Sequence, residues 1–123
     1  MTQKKRMNQT KLADTLYSKI IRSRGPCIAA GRATSWGTFG CSGILQCAHV
    51  VSRTYRAVRW RTDDPPGAVP LCSAHHVYYT HHPLEWIDFM GEHYDAVRKL
   101  ALTLPPENAG DALARLRTME VEV

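Results

Sequence analysis

The sequence lacks the apolar runs that membrane and secreted proteins carry. No stretch approaches the roughly 20 consecutive apolar residues of a membrane-spanning helix. The first residues, Met1-Thr2-Gln3-Lys4-Lys5-Arg6, have no apolar core of the kind that a secretory signal requires. We therefore expect a cytoplasmic protein without membrane contact. Disulfides are disfavoured in that compartment, so the four cysteines are expected to be metal ligands or reduced thiols.

Acidic residues are nearly missing from the first half of the chain. Residues 1–61 hold twelve Lys and Arg against one acid, whereas residues 62–123 hold four against ten. A basic half of this kind indicates a polyanionic partner, most often nucleic acid, although basic runs are also common as solvated surface.

Three arginines concentrate this charge in one short segment. Arg53, Arg56 and Arg59 alternate there with aromatic and aliphatic residues. Basic plus aromatic is a common nucleic-acid surface. An alternative interpretation is that the arginines cover a half-buried aromatic stripe.

Phenylalanine is scarce, at two of the 123 residues, although apolar residues as a whole make up 44% of the chain. A chain of this length forms one domain with a modest core, which a structural metal would help to hold. The pattern divides it into a basic tail (1–9), a helix (10–25), a central core (26–82) and C-terminal helices (83–123). We expect the basic tail to be irregular.

Short elements and turns alternate across the core, which predicts an α+β fold. Residues 33–43 are rich in glycine and small polar residues and predict a loop or irregular hairpin. Strands are expected from Ile44 to Val51 and from Ala68 to Leu71, with a helix soon after Cys72.

Cysteine and histidine spacing predicts a zinc site in this core. Cys72-x-x-His75 is the spacing by which one turn presents two ligands to a tetrahedral zinc. Cys27 begins a similar turn, but Ala30 stands where its second cysteine would be. The fourth ligand is then Cys41 or Cys47. We favour Cys41, because Cys47 would face the same side of its strand as His49.

The chain resembles the HNH endonucleases, and most of all the small zinc-containing HNH proteins of bacteriophages and prophages. The resemblance runs from about Arg24 to about Phe89. It rests on Leu-Gln-Cys-Ala-His-Val-Val-Ser-Arg (45–53), Arg-Trp (59–60), Leu-Cys-x-x-His-His-x-x-x-Thr (71–80) and Pro-Leu-Glu-Trp (83–86). It implies a ββα-metal finger that cuts DNA with one catalytic divalent ion, in a phage-encoded protein working in a bacterial host.

The resemblance also implies roles for individual residues. His49 would be the general base and His76 a ligand of the catalytic ion, which would be Mg²⁺, Mn²⁺ or Ni²⁺. Cys27, Cys72 and His75 fall on structural zinc positions. Arg53 would contact phosphate.

Two positions depart from the pattern of the family. Ala48 stands where many members have an aspartate as second metal ligand, and Gly67 lies near the place of the middle asparagine. Asp63, Asp64, His81 and a carbonyl near Ala48 are candidates for the second ligand. Two rival hypotheses are a zinc-stabilised nucleic-acid-binding module with weak or no nuclease activity, and a structural zinc protein of virion assembly.

Overall fold

The computed structural model describes residues 2–119 of the chain, and the side chains of residues 8–119. Helices and short antiparallel strands alternate, as the α+β prediction requires. The elements in chain order are α1 (Thr2–Ser23), β1 (Ala33–Thr34), β2 (Gly37–Thr38), β3 (Leu45–His49), β4 (Ala68–Cys72), α2 (Ser73–His81), α3 (Pro83–Thr103) and α4 (Ala109–Arg117).

The first helix is longer than expected. It begins at Thr2, which corrects the prediction of an irregular tail over residues 1–9; Met1 and the side chains of residues 1–7 lie outside the described part. No proline or glycine interrupts residues 2–23, so helical backbone can continue to the point where Gly25-Pro26 ends it. Its buried stripe is Ala13, Tyr17, Ile20 and Ile21.

The centre of the fold is the antiparallel pair β3–β4, followed directly by α2. Leu45 pairs with Cys72 at one end of the ladder and His49 with Ala68 at the other. Cys72 ends β4 and also caps α2, because its sulfur accepts the His75 backbone N–H. The predicted strands and helix are confirmed, with small differences in their ends.

Two buried clusters lie on the two sides of this strand pair. One contains Ala48, Leu71 and residues of α2 and α3, and the other joins α1 to α4 around Trp60. Successive strand residues face opposite sides, so Ala48 enters the first cluster while Cys47 packs against the second.

The C-terminal helices form where the sequence predicts them. Gly91 interrupts α3 with a positive φ of 49°, which divides it into two helical segments. Asn108 caps α4 by accepting the backbone N–H of Asp111, as its position before the helix suggests. Of the helices in residues 2–119, none is long and apolar enough to cross a membrane.

Candidate metal centre and histidine cleft

Cys27, Cys41, Cys72 and His75 come together at one point, and this is the ligand set expected from the sequence. Their candidate ligand atoms all lie within 4.8 Å of one another. The Nδ1 atom of His75 is 3.0 Å from Cys72 Sγ, 3.7 Å from Cys27 Sγ and 3.8 Å from Cys41 Sγ. One imidazole nitrogen therefore faces three sulfurs.

Backbone hydrogen bonds bring the three cysteine-bearing segments together. The Ile28 N–H donates to the Pro70 carbonyl, which ties the Cys27 turn to β4. The loop that carries Cys41 is held against α2, where the Ala74 N–H donates to the Ser42 carbonyl. Gly43 permits the close approach, because it has a positive φ of 77° and a Cβ there would collide with Ser73.

This geometry fits a tetrahedral zinc. Bonds of about 2.3 Å to sulfur and about 2.0 Å to nitrogen hold the ligand atoms about 3.5–3.8 Å apart. The distances from Cys27 Sγ and Cys41 Sγ to Nδ1 lie in that range, and the distance from Cys72 Sγ, at 3.0 Å, is shorter. The cluster could therefore bind a metal such as zinc, and a fourth ligand at position 30 is not needed.

The surroundings shift the pKa values of the Cys72 and Cys41 thiols in opposite directions. Burial raises the pKa of Cys72, but hydrogen bonds from the His75 N–H and ring outweigh it and bring that pKa down to about 6. Cys41 is exposed as a residue, yet desolvation of its thiol and the neighbouring Cys72 and Cys27 raise its pKa to about 11. A bound cation would stabilise the thiolates that such crowding disfavours.

Packing and burial fix the orientation of the His75 ring. It stacks on Phe39, with ring centroids 4.5 Å apart. Its Nε2 is buried and has no hydrogen-bond partner within the described residues. Because only Nδ1 has polar neighbours, the buried ring is oriented for coordination rather than for a hydrogen-bond network.

His49 and His76 line a separate cleft of about 1010 Å³. A smaller cavity of about 120 Å³ is lined by both histidines together with Ala48 and Thr80. His49 is the last residue of β3, and His76 lies in the first turn of α2. The two residues predicted to do chemistry thus share one recess, and neither belongs to the ligand cluster.

His49 is held as a neutral imidazole. Its Nε2 lies 3.1 Å from the Arg59 carbonyl and donates to it, which leaves Nδ1 with a free lone pair. Its ring packs beside Tyr17. Burial lowers the pKa of His49 to about 4, although the hydrogen bond to Arg59 opposes the shift.

His76 is oriented by Gln46. The Nδ1 of His76 donates to Gln46 Oε1 at 2.7 Å, so its Nε2 keeps the lone pair that a metal would need. Burial lowers the pKa of His76 as well, which favours the neutral form.

The three arginines have different surroundings. Arg59 makes a two-pronged ion pair with Asp14, at 3.1 and 2.7 Å, and only 14% of its side chain is exposed. Arg56 and Arg59 lie over the buried Trp60 ring, as the interpretation of a covered aromatic predicts. Arg53 lines the cleft and is 62% exposed. Arg53 is thus the one of the three that both lines the cleft and is exposed for a phosphate contact.

The four candidates for a second ligand of the catalytic ion lie in different parts of the structure. Ala48 lines the smaller cavity with His76. Asp63 and Asp64 are exposed in the turn before β4, and His81 lines a different, apolar pocket beside Trp36. The backbone near Ala48 is the candidate that shares a cavity with His76.

Asp14, Arg22 and Gln46 are among the polar residues that line the cleft, and none of them is a predicted site residue. Asp14 and Arg22 lie eight residues apart on α1, with Ser18 between them, so they share one helix face. That spacing is visible in the sequence, but nothing in it shows that the face meets β3. The pairing of Gln46 with His76 leaves no signal in a single sequence.

Comparison of the chain with protein-family models, with curated proteins and with solved structures finds no match in any of the three.

Proposed function

We propose that the protein is a metal-dependent endonuclease of the HNH type that hydrolyses phosphodiester bonds of DNA. The observation that carries this proposal is that His49 and His76 line one cleft while a separate ligand cluster holds the surrounding loops. In the proposed ββα-metal finger, β3, β4 and α2 are the two strands and the helix. The structural zinc lies at the neighbouring cluster.

His49 is oriented to accept a proton from water. It is neutral at pH 7, and its Nδ1 is free because Nε2 donates to the Arg59 carbonyl. When His49 takes the proton, the resulting hydroxide attacks phosphorus in line and the 3′ oxygen leaves. The Arg59 carbonyl thereby does the orienting work that the family assigns to its asparagine.

His76 supplies the nitrogen for the catalytic ion. A divalent ion at that nitrogen would stabilise negative charge on the phosphate and on the leaving oxygen. Among the residues that line the cleft, Asp14 has the one carboxylate, and both of its oxygens are already hydrogen-bonded. Imidazole without carboxylate suits Ni²⁺ better than Mg²⁺ or Mn²⁺, which prefer oxygen ligands, so activity should be greatest with Ni²⁺.

The test is nicking of supercoiled plasmid with Mg²⁺, Mn²⁺ or Ni²⁺, with a chelator of the added ion as control. His49→Ala should lose on the order of 10²–10⁴-fold in rate, because a general base acts in the transition state. Its zinc content and DNA affinity should stay close to those of the parent. His76→Ala should also lose activity, but raised Mn²⁺ should restore part of it. Equal cutting by His49→Ala would refute the proposal.

A zinc-stabilised nucleic-acid-binding module is the second candidate. The observation that favours it is the lack of a free carboxylate among the residues lining the cleft, since such a group commonly anchors the hydrolytic ion. This candidate predicts salt-sensitive DNA binding with no cutting in any of the three ions.

A further inference from the structure

The histidine cleft is a channel with a floor and two walls of different chemistry. Residues 44–47 and 49–53, which include every residue of β3 except Ala48, form its floor. One wall is the face of α1 that carries Asp14, Ser18 and Arg22. The other wall is formed by α2 and the first part of α3.

The α1 wall carries positive charge at both ends. Arg22 is exposed; its Nε donates to the Ser18 carbonyl, and its two terminal nitrogens have no hydrogen-bond partner among the side chains and backbone described for residues 8–119. Arg53 rises from the floor to within 3.9 Å of Asp14. Asp14 and Arg22 are eight positions apart on α1, so the two ends of this wall are about 12 Å apart along the helix axis.

Asp14 does not cancel this charge. Its carboxylate accepts hydrogen bonds from the Arg59 guanidinium and from the Trp60 indole, and its pKa is lowered because those bonds outweigh the effect of burial. The positive charge of Arg59 neutralises the negative charge of Asp14. Arg22 and Arg53 therefore give this wall a net positive charge.

The α3 part of the opposite wall is apolar and only partly covered, whereas α2 contributes His76 and Thr80. Pro83, Trp86, Ile87 and Tyr94 line it, and Ile87 is 38% exposed. Ile44, where the floor begins, is 71% exposed. The Trp86 indole donates to the Val50 carbonyl, which fixes its ring at the side of the channel.

We propose that the channel takes single-stranded DNA, with phosphates along Arg22 and Arg53 and unpaired bases against Trp86, Ile87 and Ile44. A single strand has one charged edge and one edge of exposed bases, which matches a cationic α1 wall facing the apolar side chains of α3. A duplex presents phosphates on both edges of a groove and would call for positive charge on both walls. This inference rests on the proposed function, because it names the substrate of the same cleft.

The test measures binding of a fluorescent single-stranded oligonucleotide and of the matching duplex by anisotropy. The zinc-loaded protein is used without added Mg²⁺, Mn²⁺ or Ni²⁺, so that cutting does not interfere. The single strand should bind at least several-fold more tightly. Equal or tighter binding of the duplex would overturn the inference.

Two pairs of variants test whether each wall contributes to binding of the single strand. Arg22→Gln should weaken binding of the single strand on the order of 3- to 10-fold and reduce the slope of log affinity against log salt by about 0.7. Lys19→Gln makes the same charge change on α1 outside the channel and should leave both unchanged. Ile87→Ser should weaken binding of the single strand, whereas Leu102→Ser, on the same helix and 61% exposed, should not.

The outcomes separate this inference from the nuclease proposal. Binding of single strands that depends on Arg22 and Ile87, without cutting in any metal, would support the channel and refute the nuclease. Cutting that depends on His49, with preferred binding of duplex, would support the nuclease and refute the channel. If Arg22→Gln and Lys19→Gln behave alike, the α1 wall has no part in binding.

Discussion

Burial sets the protonation state of His49. In the folded protein its pKa is about 4, against an ordinary value of 6.5, because the ring is packed beside Tyr17 and largely removed from water. We predict that the His49 ring does not titrate between pH 8 and pH 5 in the zinc-loaded protein without a catalytic ion. Two-dimensional NMR of the histidine rings measures this, with His49→Gln used to assign the signal.

The same shift predicts a pH dependence of stability. Between pH 6.5 and pH 4 the unfolded chain binds more protons at this position than the folded chain does. The free energy of unfolding should therefore rise with pH across that window, and the contribution of His49 should be lost as the pH falls towards 4. His49→Gln cannot take up the proton and should have a shallower slope. A ring that titrates near 6.5 would contradict the burial argument.

At the scale of elements, the turn before β4 depends on a residue without a side chain. Gly67 is buried, its N–H donates to the Arg61 carbonyl, and its carbonyl accepts from the Val50 N–H directly after His49. A Cβ at position 67 would collide with the Val58 carbonyl oxygen.

We predict that Gly67→Ala lowers the free energy of unfolding by about 1–3 kcal/mol, because backbone must move to admit the methyl group. Thermal or chemical unfolding of the zinc-loaded protein measures the loss. Gly40→Ala is the matched control, since nothing lies within 4 Å of a Cβ there, and it should change stability by less than about 0.5 kcal/mol. Similar stabilities for the two variants would show that the turn can relax at no cost.

The sequence was sufficient for the parts of the site that depend on local spacing. Cys72 and His75 are close because a turn joins them, and alternation along β3 correctly kept Cys47 away from the cluster. Contacts between distant segments were less predictable. Asp14, the single acid of residues 1–61, forms an ion pair with Arg59. This pair depends on how α1 packs on the rest of the fold, which the sequence does not reveal. The start of α1 was also misplaced, because its polar first turns lack the periodicity that reveals a helix.

At the scale of the whole molecule, the two buried clusters depend differently on a metal. The cluster around Ala48 and Leu71 includes the ligands Cys27 and Cys72. The cluster that joins α1 to α4 includes none of the four candidate ligands. Loss of a metal should therefore loosen one side of the strand pair before the other.

The last prediction concerns removal of that metal. Protein purified without added zinc should contain close to one equivalent, and a strong chelator should speed hydrogen exchange most in residues 27–44, whose loops are joined through the ligands. Amides of α1 and α4 should keep more of their protection, because apolar packing around Trp60 remains.

Cys72→Ala should reproduce the chelator pattern without chelator, whereas Cys47→Ala, outside the ligand cluster, should keep its zinc. Less than half an equivalent of metal, or hydrogen exchange that the chelator does not change, would refute the prediction that a bound zinc stabilises this fold.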